Sequence, residues 1–122
     1  MRTEEMLKVL NDLLRLDDVL ACMVAKKGLE GIVPSNIKVK NVDLWVLLKK
    51  TTDQLFDLVD RFYDYGLDRV YFELGQYTVT IATINRGVGL VVVAPSLANQ
   101  GLLDVEIENT KRKIKGLIEG KE

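Results

Sequence analysis

Two stretches of this sequence, Val19–Ala25 (VLACMVA) and Val88–Ala94 (VGLVVVA), are apolar without alternation. An extended segment of that kind puts apolar side chains on both faces of a sheet, and both faces then need cover from water. The two runs are therefore expected side by side in the middle of a sheet, with helices on both of its faces. Everything else in the chain has to be arranged around that centre.

Two further segments do alternate. Arg69–Leu74 sets Val70, Phe72 and Leu74 against Arg69, Tyr71 and Glu73. Tyr77–Ile84 sets Tyr77, Val79 and Ile81 against Thr78, Thr80 and Ala82. Gly75-Gln76 and Asn85-Arg86-Gly87 supply the turns that make these strands neighbours in an antiparallel meander. Near the start, Lys27-Gly28 turns the chain and Gly31-Ile32-Val33 begins a short partner strand. Pro34 confines that strand to an edge, because proline cannot donate to a ladder. Ser35–Asn41 is polar and basic and reads as a loop.

Three segments have helical periodicity. In Thr3–Leu16 the residues Met6, Leu7, Leu10, Leu13 and Leu14 share a face, with Thr3 as cap and Glu4 and Glu5 in the first turn, where carboxylates suit the helix dipole. Asp43–Tyr65 is the longest. Leu44, Leu47, Leu48, Thr51, Leu55, Leu58, Val59 and Phe62 form its apolar stripe, and Gly66 ends it. Trp45, Thr52, Phe56 and Tyr63 fall about 100° round from that stripe. The last helix runs from about Gly101 to Ile118, with Leu103, Ile107, Thr110, Ile114 and Leu117 on one face and Asn99 as its cap. The expected fold is α+β, with element order α-β-β-α-β-β-β-α. Its five-stranded antiparallel sheet takes the order 2-1-5-4-3, and helices cover both faces.

Composition narrows the function. The chain has 122 residues, no histidine and one cysteine, Cys22. That length suits a single domain spanning residues 1–122. No intrachain disulfide, Cys/His zinc site, or Ser-His-Asp or Cys-His centre can be built within it. The net charge is −1 and the isoelectric point near 5.5, without the basic excess of a nucleic-acid binder. No apolar stretch reaches the roughly 20 residues that span a bilayer, and the N-terminus lacks a signal-type apolar core. The expected compartment is the cytoplasm.

Other signals carry little chemistry. Gly87-Val88-Gly89 lacks a third glycine and precedes a strand, so it is a hairpin turn and not a dinucleotide fingerprint. No phosphate-loop motif is present. Asp53, Asp57, Asp60 and Asp64 form an acidic helix face, read as solvated or facing a basic partner and not as a metal site. Lys111, Arg112, Lys113 and Lys115 suit the C-terminal dipole of the last helix. Cys22 is expected to be an inert core residue. No catalytic residue, cofactor or metal ligand is assigned.

The order of elements resembles the Roadblock family of dynein light chains and small-GTPase regulators, with the sheet shared by profilin-like folds. Three stretches carry the resemblance. They are Val19–Ala25 leading into Lys27-Gly28-Leu29, the hairpin Arg69–Val79 (RVYFELGQYTV), and Ala98–Leu103 (ANQGLL), which is similar to the family's Asn-x-Gly-Leu helix start. The family's first turn often reads Asp-Gly, where this chain has Lys27-Gly28. The resemblance covers nearly the whole chain and implies a non-enzymatic protein. It also implies dimers in which third strands pair edge to edge and second helices pack side by side. The resulting platform would bind a Ras-like GTPase or a scaffold partner.

The residues themselves point to a homodimer. Arg69–Leu74 has no proline or glycine and only two charges, so an exposed edge of this kind invites pairing, and a two-fold axis closes it. The expected dimer interface is Phe56, Val59, Tyr63, Val70, Tyr71, Phe72, Glu73 and Leu74. The expected partner-facing surface is Trp45, Lys49, Asp53, Asp57 and Asp60. A GTPase would be regulated by preferential binding of one switch conformation. Arg61 or Arg69 acting in trans is the residual catalytic option. Two alternatives stand beside this reading. One is a small-molecule-sensing profilin- or PAS-like module, which requires an enclosed pocket between helix and sheet. The other is a dynein-type scaffold light chain that grips a peptide.

Overall fold

Strands β1 (Ala21–Lys26) and β5 (Val88–Pro95) pair antiparallel, from Ala21 opposite Val93 to Lys26 opposite Val88. The computed structural model describes residues 3–27 and 29–120, and for Leu29 and Glu30 the backbone alone. Gly28 of the expected first turn lies outside the described residues. Strand β2 (Leu29–Ile32) flanks β1. Strand β4 (Tyr77–Asn85) flanks β5, and β3 (Arg69–Leu74) lies outermost. The sheet is antiparallel throughout in the order β2-β1-β5-β4-β3, as expected from the two all-apolar strands.

Alternate side chains of the inner strands build two cores. Cys22, Val24, Ala82, Leu90 and Val92 face helices α1 (Thr3–Leu14) and α3 (Gln100–Glu119), which contribute Leu10, Leu13, Ile107 and Ile114. Ala21, Met23, Val79, Ile81, Val91 and Val93 face helix α2 (Val42–Asp60) on the other side. Each buried Val, Leu or Ile contributes about 1.5–3 kcal/mol by leaving water. That is why the two central strands β1 and β5 carry no polar alternation, while β4 buries Thr80 and Thr83 among its apolar residues.

Helix ends follow local chemistry. The Asn41 and Asn99 side chains accept the N–H groups of Leu44 and Leu102, each at 3.1 Å, as N-caps should. Helix α1 stops at Leu14, two residues short of expectation. Thr3 is already its first helical residue, so the cap position falls outside the described residues. The Leu16 carbonyl is taken by Val19 N–H at 3.1 Å and by the Lys38 ammonium at 2.9 Å. The loop carrying Lys38 is not merely polar, since it buries Pro34 and Val39. Helix α2 stops at Asp60, short of Tyr65. Its last turn tightens as Phe62 N–H bonds the Val59 carbonyl at 3.1 Å, and a short 3-10 turn follows at Tyr63–Tyr65. Gly66 then adopts φ +84°, which only glycine holds without strain.

Cys22 lies fully buried, and its thiol donates to the Leu10 carbonyl at 3.4 Å. Burial pushes its pKa up to about 12, against a smaller lowering by Lys38. It stays a neutral thiol at any ordinary pH, and thiolate is the nucleophile. Iodoacetamide is expected to leave the native protein unmodified and to label it only on unfolding. Equal labelling rates with and without denaturant would contradict this.

Candidate protein-protein interface

Helix α2 places its side chains on three flanks. Trp45, Leu48, Thr52, Phe56, Val59 and Asp60 are buried against the sheet. Leu47 is 57% exposed and Leu58 56%, with Phe62 just beyond the helix at 51%, and Leu44, Thr51 and Leu55 are half-buried. Val46, Lys49 and Lys50 occupy the third flank, where they line a cleft with Met23, Gly31 and Val33 at the β2 edge.

The helix is thus rotated by roughly a quarter turn from the orientation expected from periodicity. Trp45 and Phe56, expected on an outward flank, are 4% and 1% exposed core residues. Val59 and Asp60, expected in the dimer interface and facing a partner, are 5% and 4% exposed and also inside. The reason is that α2 is apolar over more than half its circumference, so a mean apolar direction does not say which side the sheet takes. The aromatic rings fill that space best. A Cβ built on Gly89 would meet Phe56 Cε1 at 2.5 Å, so ring and strand are in close contact. Polar Thr52 is tolerated inside because its hydroxyl bonds the Leu48 carbonyl of its own helix.

Helical spacing puts Leu47 and Leu58 on the side of α2 opposite Val46 and Lys49, which border β2, and so toward the β3 end of the sheet. Strand β3 hydrogen-bonds to β4 along one side, from Arg69 opposite Ala82 to Leu74 opposite Tyr77. Among the described residues its other side has no strand partner. Val70 and Phe72 lean under α2, half-buried, while Tyr71, Glu73 and Leu74 are exposed. An open strand edge and an exposed apolar helix stripe therefore sit on the same side of the molecule.

An ion-pair network, unforeseen in the sequence, fixes how β3 is presented. Arg69 binds Asp68 and Asp104, each at 3.1 Å, and also Glu108. Lys111 reaches Asp68 at 2.8 Å, and Tyr71 donates its hydroxyl to Asp104. The Lys111 hydrogen bond, supported by Arg69, holds the Asp68 carboxyl below its usual range despite some burial. Arg69 is thereby turned toward α3 and leaves the strand edge free of its charge.

The acidic face of α2 is occupied with internal work. Lys27 lies 3.4 Å from Asp57 and 3.7 Å from Asp60. Hydrogen bonds from Lys27 and then Arg61 lower the pKa of the half-buried Asp57. Buried Asp60 accepts Gly87 N–H at 2.8 Å, tying the β4–β5 turn to the helix. Arg86 pairs with Asp64 and lies 5.1 Å from the Tyr63 ring, which is half-buried. Lys49 stands 5.9 Å from the Trp45 ring, and Asp53 is exposed. Asp60→Ala is expected to cost about 1–3 kcal/mol in urea denaturation, because the partly buried Gly87 N–H loses its acceptor. Asp60→Asn keeps an acceptor and should recover most of it; equal losses would refute this.

The whole arrangement matches solved structures closely in shape. The MglB of Myxococcus xanthus superposes with TM-score 0.74 over 95% of this chain and 96% of that one, at 15% identity. A Roadblock/LC7 domain from Streptomyces avermitilis gives 0.67 over 91% and 95%, at 16% identity. The chain has the Roadblock/LC7 fold. A gliding protein MglB from Thermus thermophilus gives 0.64 over 97% and 91%, at 15% identity. No protein-family profile and no curated protein matches the chain by sequence. With the Roadblock/LC7 fold in place, the helix-first order and the sheet order expected from the sequence are both accounted for. Among the described residues, no helix is long and apolar enough to cross a membrane, and no group of three or more acidic or cysteine side chains could hold a metal ion.

Proposed function

We propose that this chain is a single Roadblock domain acting as a non-enzymatic regulatory or scaffold subunit in the cytoplasm. Two copies pair through the open edge of β3 and the exposed stripe of α2, and the joined α2 helices form a platform for a Ras-like small GTPase. The observation that carries this reading is that the open edge and the apolar stripe lie on one side of the molecule. Antiparallel pairing of β3 with its own copy extends the sheet and brings the two stripes together, covering both features at once. Leu47, Leu58 and Phe62 replace Phe56 and Val59 in the interface, beside Tyr63 and Val70–Leu74. Lys49, Asp53 and the partly open Asp57 remain on the partner side. The GTPase itself comes with the Roadblock resemblance.

The pocketed, small-molecule-sensing alternative is disfavoured by packing. Trp45, Leu48, Phe56 and Val59 fill the space between α2 and the sheet where its pocket would lie.

The test is a pull-down from native extract with GDP or a non-hydrolysable GTP analogue. A phosphate-loop protein retained in one nucleotide state supports the reading. Its absence in both states, from a protein shown to be dimeric, overturns the GTPase part. Arg61 is bound to Asp57 at 3.1 Å and Arg69 is enclosed by three carboxylates. Arg61→Ala is therefore expected to leave hydrolysis by the retained GTPase unchanged within about twofold, against the about 10³–10⁵ that an arginine finger supplies.

A further inference from the structure

The face of the sheet opposite α2 carries a second apolar patch, which the dimer does not use. Leu102 is 67% exposed, Val105 56%, and Leu97, just ahead of α3, 97%. Leu102 and Val105 are one helical turn apart, so they form a ridge along α3. Between that ridge and Leu16, at the end of α1, lies a groove of 280 Å³ floored by Leu103. A further cleft of 230 Å³ continues it along the seam of α1 and α3, past Val9 and Leu13. Leu16 and Glu106 border both.

The charges lining the 280 Å³ groove have one sign, those of Asp17, Asp18 and Glu106, whereas Arg112 and Lys113 border the cleft that continues it. Three other carboxylates on this face have cations: Asp12 has Arg15, and Asp104 and Glu108 have Arg69. Asp17, Asp18 and Glu106 have no ion pair with any described residue. The apolar trough between Leu16 and the Leu102–Val105 ridge, rimmed by Asp17, Asp18 and Glu106, is complementary to a helix with an apolar ridge and basic flanks.

We infer that the α1–α3 groove docks a basic amphipathic helix of a partner protein. Its apolar ridge lies between Leu16 and Leu102–Val105, and its lysines or arginines meet Asp17, Asp18 and Glu106. A second copy of this chain does not fit. A two-fold axis through the patch would bring six carboxylates together, and like charges at an interface are costly. An anionic membrane is repelled by the same rim. Because the groove and α2 lie on opposite faces of the sheet, this partner and a platform partner can bind together. The inference does not depend on the GTPase reading.

The test uses the full chain, labelled with nitrogen-15, and two synthetic helical peptides that share one leucine ridge. One has lysine flanks and the other glutamate flanks. The lysine peptide is expected to bind, and to shift the amide signals of Leu16, Leu102, Val105 and Glu106. Leu102→Asp should weaken it by about tenfold or more, and Val105→Asp should do the same, with both melting temperatures held near that of the parent. The triple change Asp17→Lys, Asp18→Lys and Glu106→Lys should reverse the preference, so that the glutamate peptide binds instead. Signals that move on the α2 stripe, or a preference unaltered by the triple change, overturn the inference. So does a fall in assembly mass with Leu102→Asp, which assigns the patch to a second copy. Phosphatidylserine vesicles that bind the parent and not Leu102→Asp assign it to membrane and overturn it equally.

Discussion

Phe56→Ala is expected to lower the unfolding free energy by about 3–5 kcal/mol, enough to leave a chain of this size close to unfolded. The ring is 1% exposed and is among the largest fully buried side chains of the protein. It lies against Gly89 of β5, where no Cβ could stand without meeting the ring at 2.5 Å. Removing it leaves a cavity bounded by a helix and a sheet that are both held elsewhere, so the site cannot collapse to refill itself. Gly89→Ala tests the same contact from the other side and is expected to be destabilising through overpacking, by about 1–3 kcal/mol. Guanidinium denaturation followed by Trp45 fluorescence measures both. A loss below about 1 kcal/mol for Phe56→Ala would show that the ring is not a keystone of the α2 layer.

The second large effect is on assembly. Leu58→Glu combined with Phe62→Glu is expected to convert a dimer at micromolar concentration into a monomer, weakening association about a thousandfold or more. Both residues are more than half exposed, at 56% and 51%, so the substitution should leave the melting temperature of the monomer fold near its parent value. Burying two carboxylates against the same stripe of a second copy is strongly unfavourable. Phe72→Lys addresses the strand side of the same interface. Analytical ultracentrifugation decides the matter: a parent that sediments as a monomer at micromolar concentration ends the dimer proposal. Phe56→Glu, which a flank position would make a second monomerising change, is instead expected to unfold the chain.

The contrast between Phe56 and Phe62 marks the boundary of what could be read from residue order. Val19–Ala25 and Val88–Ala94 placed two strands at the centre of a covered sheet because an extended backbone must expose alternate side chains on opposite faces. Pro34 and the alternating Arg69–Leu74 run then identified the edges. Asn99 was legible as a helix start because its chemistry is local, whereas Gly66, expected to end α2, closes the separate 3-10 turn that follows it. The Arg69–Asp68–Lys111 network was not legible, because its members are up to 43 residues apart in the chain and meet only when β3 lies beside α3. Asp60 looked like one more solvated carboxylate on a helical face. Only the arrival of the β4–β5 turn at its oxygen makes it an internal acceptor.

The apolar surface of α2 divides in the same way. That α2 carries more of it than one sheet needs is a property of composition and helical period, and Leu47 and Leu58 stay exposed on it. Which flank is spare depends on the rotation of the helix about its own axis. That rotation is set by how Trp45 and Phe56 fit against Gly89 and its neighbours, across contacts far apart in sequence. Secondary structure, strand order and the existence of surplus apolar surface are local or pattern-level quantities, and linear order carries them. The identity of the exposed stripe, the orientation of Arg69 and the groove beside Leu102 arise from packing between elements. Close packing selects one rotation out of several that hydrophobic patterning leaves nearly equal.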